Sequence, residues 1–134
     1  DMVLQKPWPG EIFAYEEKYL YSVFDRLILM GAYLWCYDHA AVRQPFHPVF
    51  RAGVAVLKRY AECFRTGRFL ERGGISCPEG VDATRFLLPG RGSMYVAANR
   101  TGRAQSIRTP DGEFSLSAER YSVVFSRPDD NPVK

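Results

Sequence analysis

Roughly eighteen uninterrupted apolar residues are needed to cross a bilayer, and this sequence has no run approaching that length. Its most apolar stretch, Leu27 to Cys36, is closed off by Asp25-Arg26 before it and by Tyr37-Asp38-His39 after it. Charge of one sign is scarce too. The net charge is +3, and Lys and Arg are scattered along the chain, clustering only in pairs such as Lys58-Arg59. A nucleic-acid surface needs a basic stripe, so neither nucleic acid nor a membrane is an expected partner. The chain opens on Asp1 rather than Met, as a processed or excised chain would. No basic leader with an apolar core follows, so no signal peptide is visible.

Cysteine and histidine are few. Cys36, Cys63 and Cys77 are odd in number, far apart and without a CxxC pair. That spacing argues against a zinc site or a disulfide framework, and for free thiols in a reducing compartment such as the cytoplasm. Cys36, Asp38, His39 and His47 make a poor metal cluster, because alternation along a strand sends Asp38 and His39 to opposite faces. The glycines of Pro89-Gly90-Arg91-Gly92 join two strand-like runs rather than a strand and a helix, so no phosphate loop is present. These patterns imply no cofactor and no metal.

What remains is the composition of a globular chain, 46% hydrophobic and 25% charged. A helical period runs from Ala14 to Met30, with Tyr15, Tyr19, Leu20, Val23, Phe24, Leu27 and Met30 on one stripe. Glu16 and Glu17 fall in its first turn and Gly31 stops it. Ile28 and Leu29 widen the stripe, so this helix demands cover on more than one side. Missing upstream chain or self-association would supply that cover. Ala32 to Tyr37 reads as a short, fully apolar strand of the kind covered on both faces. Pro48 opens a second helix, with Phe50, Gly53, Val54, Leu57, Tyr60, Ala61 and Phe64 inward, and Thr66-Gly67 ends it.

Composition changes after residue 70. Residues 71–80, with Gly73-Gly74 and Cys77-Pro78-Glu79-Gly80, read as a linker. Short runs of strand propensity follow at Asp82–Leu88, Ser93–Ala98, Gln105–Arg108, Glu113–Ser117 and Tyr121–Ser126, and Asp111-Gly112 is a hairpin signal. The expected fold is therefore α+β. Two amphipathic helices with one short strand occupy residues 1–70, and an antiparallel, sandwich-like domain of about five strands occupies 81–127. Residues 128–134 are expected to fray.

Three stretches carry a resemblance. His47-Pro48-Val49-Phe50-Arg51-Ala52 running into Leu57-Lys58-Arg59-Tyr60-Ala61 is similar to the final barrel helix of bacterial sugar hydrolases. Tyr95-Val96-Ala97-Ala98-Asn99-Arg100-Thr101-Gly102 resembles a strand and turn of their C-terminal domains, where a Val-x-x-Asn-x-Thr-Gly pattern is common. Ser117 to Val124 is similar to the closing strand of those domains. In this order they look like the end of a (β/α)8-barrel glycoside hydrolase. The resemblance implies a last barrel strand and helix followed by a β-domain that buttresses the barrel, with carbohydrate as the partner of the parent protein. A whole barrel takes about 250 residues, and only about one and a half of its strand–helix units fit before residue 70.

Glycoside hydrolysis uses two facing carboxylates. Glu16 and Glu17 are adjacent on a helix and diverge, and Asp129 and Asp130 lie in the tail. Asp38 and His39 stand at the end of the apolar strand, where barrel active sites sit, and are the candidate catalytic pair. Trp35 and Tyr37 beside them are candidate substrate contacts. Three readings follow: a non-catalytic C-terminal segment of a glycoside hydrolase-like protein; a carbohydrate-binding or protein-interaction module using exposed aromatics such as Trp8 or Tyr95; and a small enzyme built on Asp38 and His39. Cys63 and Cys77 are read as idle thiols, and Asn99-Arg100-Thr101 as a turn rather than a glycosylation site.

Overall fold

The computed structural model describes residues 21–32 and 47–133. Within them the chain is α+β. Helix α1 covers residues 21–29, α2 His47–Arg59 and α3 Ala61–Thr66. Six strands follow: β1 Arg68–Phe69, β2 Val81–Leu87, β3 Ser93–Asn99, β4 Gln105–Thr109, β5 Gly112–Leu116 and β6 Tyr121–Phe125. The last five fall within a residue or two of the runs that strand propensity and turn residues mark out. The apolar strand expected over Ala32 to Tyr37 lies outside the described residues, apart from Ala32, which follows α1 without regular structure.

One antiparallel sheet, in the order β1-β2-β3-β6, forms the middle layer, and β4 and β5 form a separate hairpin. Alternation along β3 assigns its two faces. Met94, Val96 and Ala98 point at the helices and join Phe24, Ile28, Leu57, Tyr60 and Cys63 in the larger core. Tyr95 and Ala97 point the other way and pack with Ile107 and Leu116 of the hairpin. All seven residues of β3 are buried as a result. The doubly covered strand that the sequence suggests near residue 32 thus has a counterpart in the centre of the β-domain. Residues 21–32 take their cover from this sheet, so the helices and the β-domain share a core.

Three expectations about detail are corrected. Met30, placed on the inward stripe of the first helix, is 51% exposed, whereas Phe24, Ile28 and Leu29 are buried. Phe24 is inward as anticipated, but the buried face extends from it towards Ile28 and Leu29 rather than towards Met30, a roll of the helix that brings Asp25 inward as well. The second helix breaks at Tyr60, whose φ of −113° and ψ of 24° leave the helical region. Tyr60 packs 5.8 Å from the Phe125 ring, and the chain resumes as α3 until Gly67 takes an extended conformation. The tail is also more ordered than expected: Pro128–Asp130 form a 3-10 turn, and Asp130 Oδ2 accepts a hydrogen bond from Gly92 N at 2.9 Å.

The linker region carries structure of its own. Leu70 N donates to Arg85 O at 2.8 Å while Arg85 N donates to Glu71 O at 2.9 Å. Two residues thus oppose one, a β-bulge that ends the pairing of β1. Glu71 takes the left-handed conformation, with φ of 56°, to make it.

Gly53 is where α2 comes closest to α1, because a Cβ there would run into the Phe24 ring and Ile28 Cδ1. A Cβ this close should cost up to about 3 kcal/mol through overpacking, and after the ~1 kcal/mol that alanine gains in a helix Gly53→Ala should destabilise the fold by up to about 2 kcal/mol. A urea midpoint below that of the wild type checks this; an unchanged or raised midpoint would show that the helices separate at little cost.

Candidate functional site

Asp25 sits on the inward face of α1 and is completely buried. A carboxylate has about four lone-pair directions, and here each has a donor. Arg100 Nε approaches Oδ2 at 2.6 Å and Arg120 Nη2 approaches it at 2.8 Å. Arg120 Nε donates to Oδ1 at 3.2 Å, and the Tyr121 hydroxyl donates to Oδ1 at 2.5 Å. The Arg120 guanidinium also lies 5.2 Å from the centre of the Tyr21 ring. Arg100 follows β3, while Arg120 and Tyr121 mark the start of β6, so two strand ends converge on one helix side chain.

The electrostatics follow from that packing. Burial pushes the Tyr121 hydroxyl far above its ordinary value, and the adjacent Asp25 carboxylate pushes it further. Burial opposes the charge of Arg120, but hydrogen bonding to Asp25 and its negative charge outweigh this and hold the guanidinium protonated. Such a cluster is a clamp: its carboxylate has no lone pair left for a substrate.

The turn after β3 is organised by Asn99, which is buried. Its Nδ2 donates to Arg103 O at 2.7 Å and Ser117 O at 3.0 Å, and its Oδ1 accepts from Thr101 N at 3.0 Å and Thr101 Oγ1 at 2.7 Å. Gly102 completes the turn with a φ of 71°. Asn99-Arg100-Thr101-Gly102 is thus a turn motif that aims Arg100 at Asp25, and the amide that glycosylation would need is fully occupied.

On the hairpin face, Tyr95 donates to Asp111 Oδ2 at 2.5 Å, and Arg85 Nε donates to Ser93 Oγ at 2.9 Å. Burial, then the Asp111 contact, raises the Tyr95 hydroxyl above its ordinary value. Tyr95, considered above as an exposed platform for a sugar, is wholly buried instead, because it is the central side chain between the sheet and the hairpin. Cys63 and Cys77 are free thiols, and burial raises both above the ordinary thiol value.

A cleft of about 570 Å3 opens beside the end of α1, lined among the described residues by Arg26, Met30, Phe69, Glu71, Arg72 and Thr84, with others. Thr84 donates its hydroxyl to Leu29 O, and Arg72 Nη2 binds Asp82 Oδ2 at 2.6 Å. Asp38, His39, Trp35 and Tyr37, and with them Trp8, Glu16, Glu17 and Cys36, lie outside the described residues. Sequence reasoning missed Asp25, treating Asp25-Arg26 as a polar boundary. The available signal was position: Asp25 lies one turn from Tyr21 and from Leu29, inside an apolar face where a carboxylate needs a cation.

Two outcomes follow. Asp25→Asn leaves Arg100 and Arg120 facing an uncharged amide in a buried site and should cost about 3–5 kcal/mol, measured by urea denaturation. Tyr121 is held protonated in the fold at pH values where the unfolded phenol, with its ordinary pKa of 10.0, ionises. Its contribution is therefore complete below about pH 10 and is lost as pH rises towards the folded value. Stability should fall with alkalinity above pH 10, and less steeply in Tyr121→Phe; equal slopes would contradict the assignment. No protein-family model, curated protein or solved structure matches the chain.

Proposed function

We propose that this chain is a non-catalytic support module, the C-terminal segment of a glycoside hydrolase-like protein, in which the β-domain holds the last helices of a barrel in place. The observation that carries this reading is the Asp25 clamp, which joins a helix to two strand ends of the β-domain through a saturated, buried carboxylate. The other acidic groups of the β-domain with side-chain partners also serve the fold: Asp82 holds Arg72, Asp111 holds Tyr95 and Asp130 holds the Gly92 amide. A glycosidase keeps two carboxylates turned towards a sugar, and these are turned towards their own chain.

The test is turnover. Incubated with aryl glycosides, the chain should release no aglycone, and the reading frame that encodes it should carry barrel units upstream. Turnover that disappears in Asp38→Asn would overturn the proposal in favour of a small enzyme built on Asp38 and His39.

The cleft beside α1 favours a second reading, a carbohydrate-binding module. Phe69 is 39% exposed at its wall, and Arg26 and Glu71 bring a donor and an acceptor to the same hollow. Calorimetric titration with neutral oligosaccharides decides it. On this reading, binding is weakened by up to about tenfold in Phe69→Ala, as loss of an aromatic contact of about 0.5–1.5 kcal/mol requires. No heat with any oligosaccharide removes it.

A further inference from the structure

The four-stranded sheet has two edges, and they are built differently. At the β1 edge the strand is two residues long, and the bulge of Leu70 and Glu71 against Arg85 ends it. Short strands and bulges are the usual ways of preventing a sheet from recruiting another strand. The β6 edge has neither. Its sequence, Tyr121-Ser122-Val123-Val124-Phe125, contains no charge, no proline and no glycine, and pairs with β3 over its whole length without a bulge.

The hydrogen-bond phase of β6 is determined by its ends. Asn99 N donates to Arg120 O at 2.7 Å and Ser126 N donates to Ser93 O at 2.9 Å. In an antiparallel ladder, hydrogen-bonded and non-hydrogen-bonded pairs alternate. With Val96 opposite Val123, it is Ser122 and Val124 that turn their backbone groups to β3. Tyr121, Val123 and Phe125 turn their N–H and C=O groups away from the sheet, and no backbone partner for them occurs among the described residues. Unpaired backbone groups of this kind are costly wherever water is excluded.

We propose that the β6 edge is a dimerisation surface, on which β6 of a second copy pairs antiparallel about a two-fold axis at Val123. In that register Val123 meets its own copy and Tyr121 meets Phe125 of the other chain, so each outward N–H finds an outward C=O. Just beyond the two ends of that ladder, where the chain bends, stand Glu119 of one copy and Arg127 of the other. Glu119 and Arg127 are exposed, and neither makes an ion pair among the described residues. Arg127 is already extended, with φ of −117° and ψ of 114°. Charge complementarity at the ends and an uncharged centre point to this chain as its own partner, in a self-complementary contact of the kind a two-fold axis requires. The two sheets then continue into one. This surface is on the opposite side of the sheet order from β1 and the cleft, so it does not depend on either reading of function.

Sedimentation equilibrium across a range of concentrations tests the proposal, with twice the 15.3 kDa chain mass expected at the upper end. Amides of Tyr121, Val123 and Phe125 should gain hydrogen-exchange protection with concentration, while those of Ser122 and Val124 are protected throughout. Val123→Pro removes only an outward donor, which an edge strand tolerates, and should yield a monomer with an unchanged circular dichroism spectrum. Should that variant unfold, the charges decide. Glu119→Arg and Arg127→Glu each weaken the dimer by up to about tenfold, because like charges then meet at both ends, and the double reversal restores it. A monomer at every concentration, a dimer unmoved by a folded Val123→Pro, or single and double charge variants that dimerise alike would each overturn the proposal.

Discussion

Taking a carboxylate out of water costs several kcal/mol unless its lone pairs are met by well-placed donors. Asp25 is wholly buried, and that requirement organises much of what surrounds it. It needs two guanidinium groups and a hydroxyl, and these come from residues 100, 120 and 121, far away in the chain. Bringing them together requires the turn after β3 and the start of β6 to lie side by side under α1. The Asn99 turn, the pairing of β3 with β6 and the roll of the helix all satisfy that one condition.

The roll of α1 shows how far the constraint reaches. Apolarity alone would let several faces of this helix turn inward, since Val23, Leu27 and Met30 form a stripe as good as Phe24, Ile28 and Leu29. The carboxylate selects between them. With Asp25 directed at the strand ends, Phe24 and Ile28 meet the close approach at Gly53, and Met30 turns to the surface beside the cleft. Hydrophobic burial supplies the bulk of the stabilisation, while a single polar contact determines which apolar residues receive it.

Much of the β-domain was legible because its signals are local. Asp111-Gly112, Arg100-Thr101-Gly102 and Pro89-Gly90 are turn residues at the positions where the chain reverses, and alternation between them marks β2 to β6. The helix from His47 was equally plain, down to its end at Gly67, although its break at Tyr60, which packs on Phe125, has no local mark. The clamp was not legible. Any of the 18 basic residues might serve a buried aspartate, and nothing short of the strand register selects Arg100 and Arg120. Tyr95 was misplaced for a related reason: a tyrosine in a strand looks the same on a solvated face as under a hairpin, and only β4 and β5 folding back over it decide. Asp38, His39, Trp35 and Tyr37 rest on the resemblance to barrel hydrolases and lie outside the described residues.

The central claim is that a buried ion cluster makes the helices and the β-domain one cooperative unit. Native-state hydrogen exchange under increasing denaturant measures this directly, residue by residue. The account predicts that the slowest amides of α2 and those of β3 merge into a single global unfolding transition. Helical amides that exchange through a separate, lower-energy opening, while β3 remains protected, would contradict it.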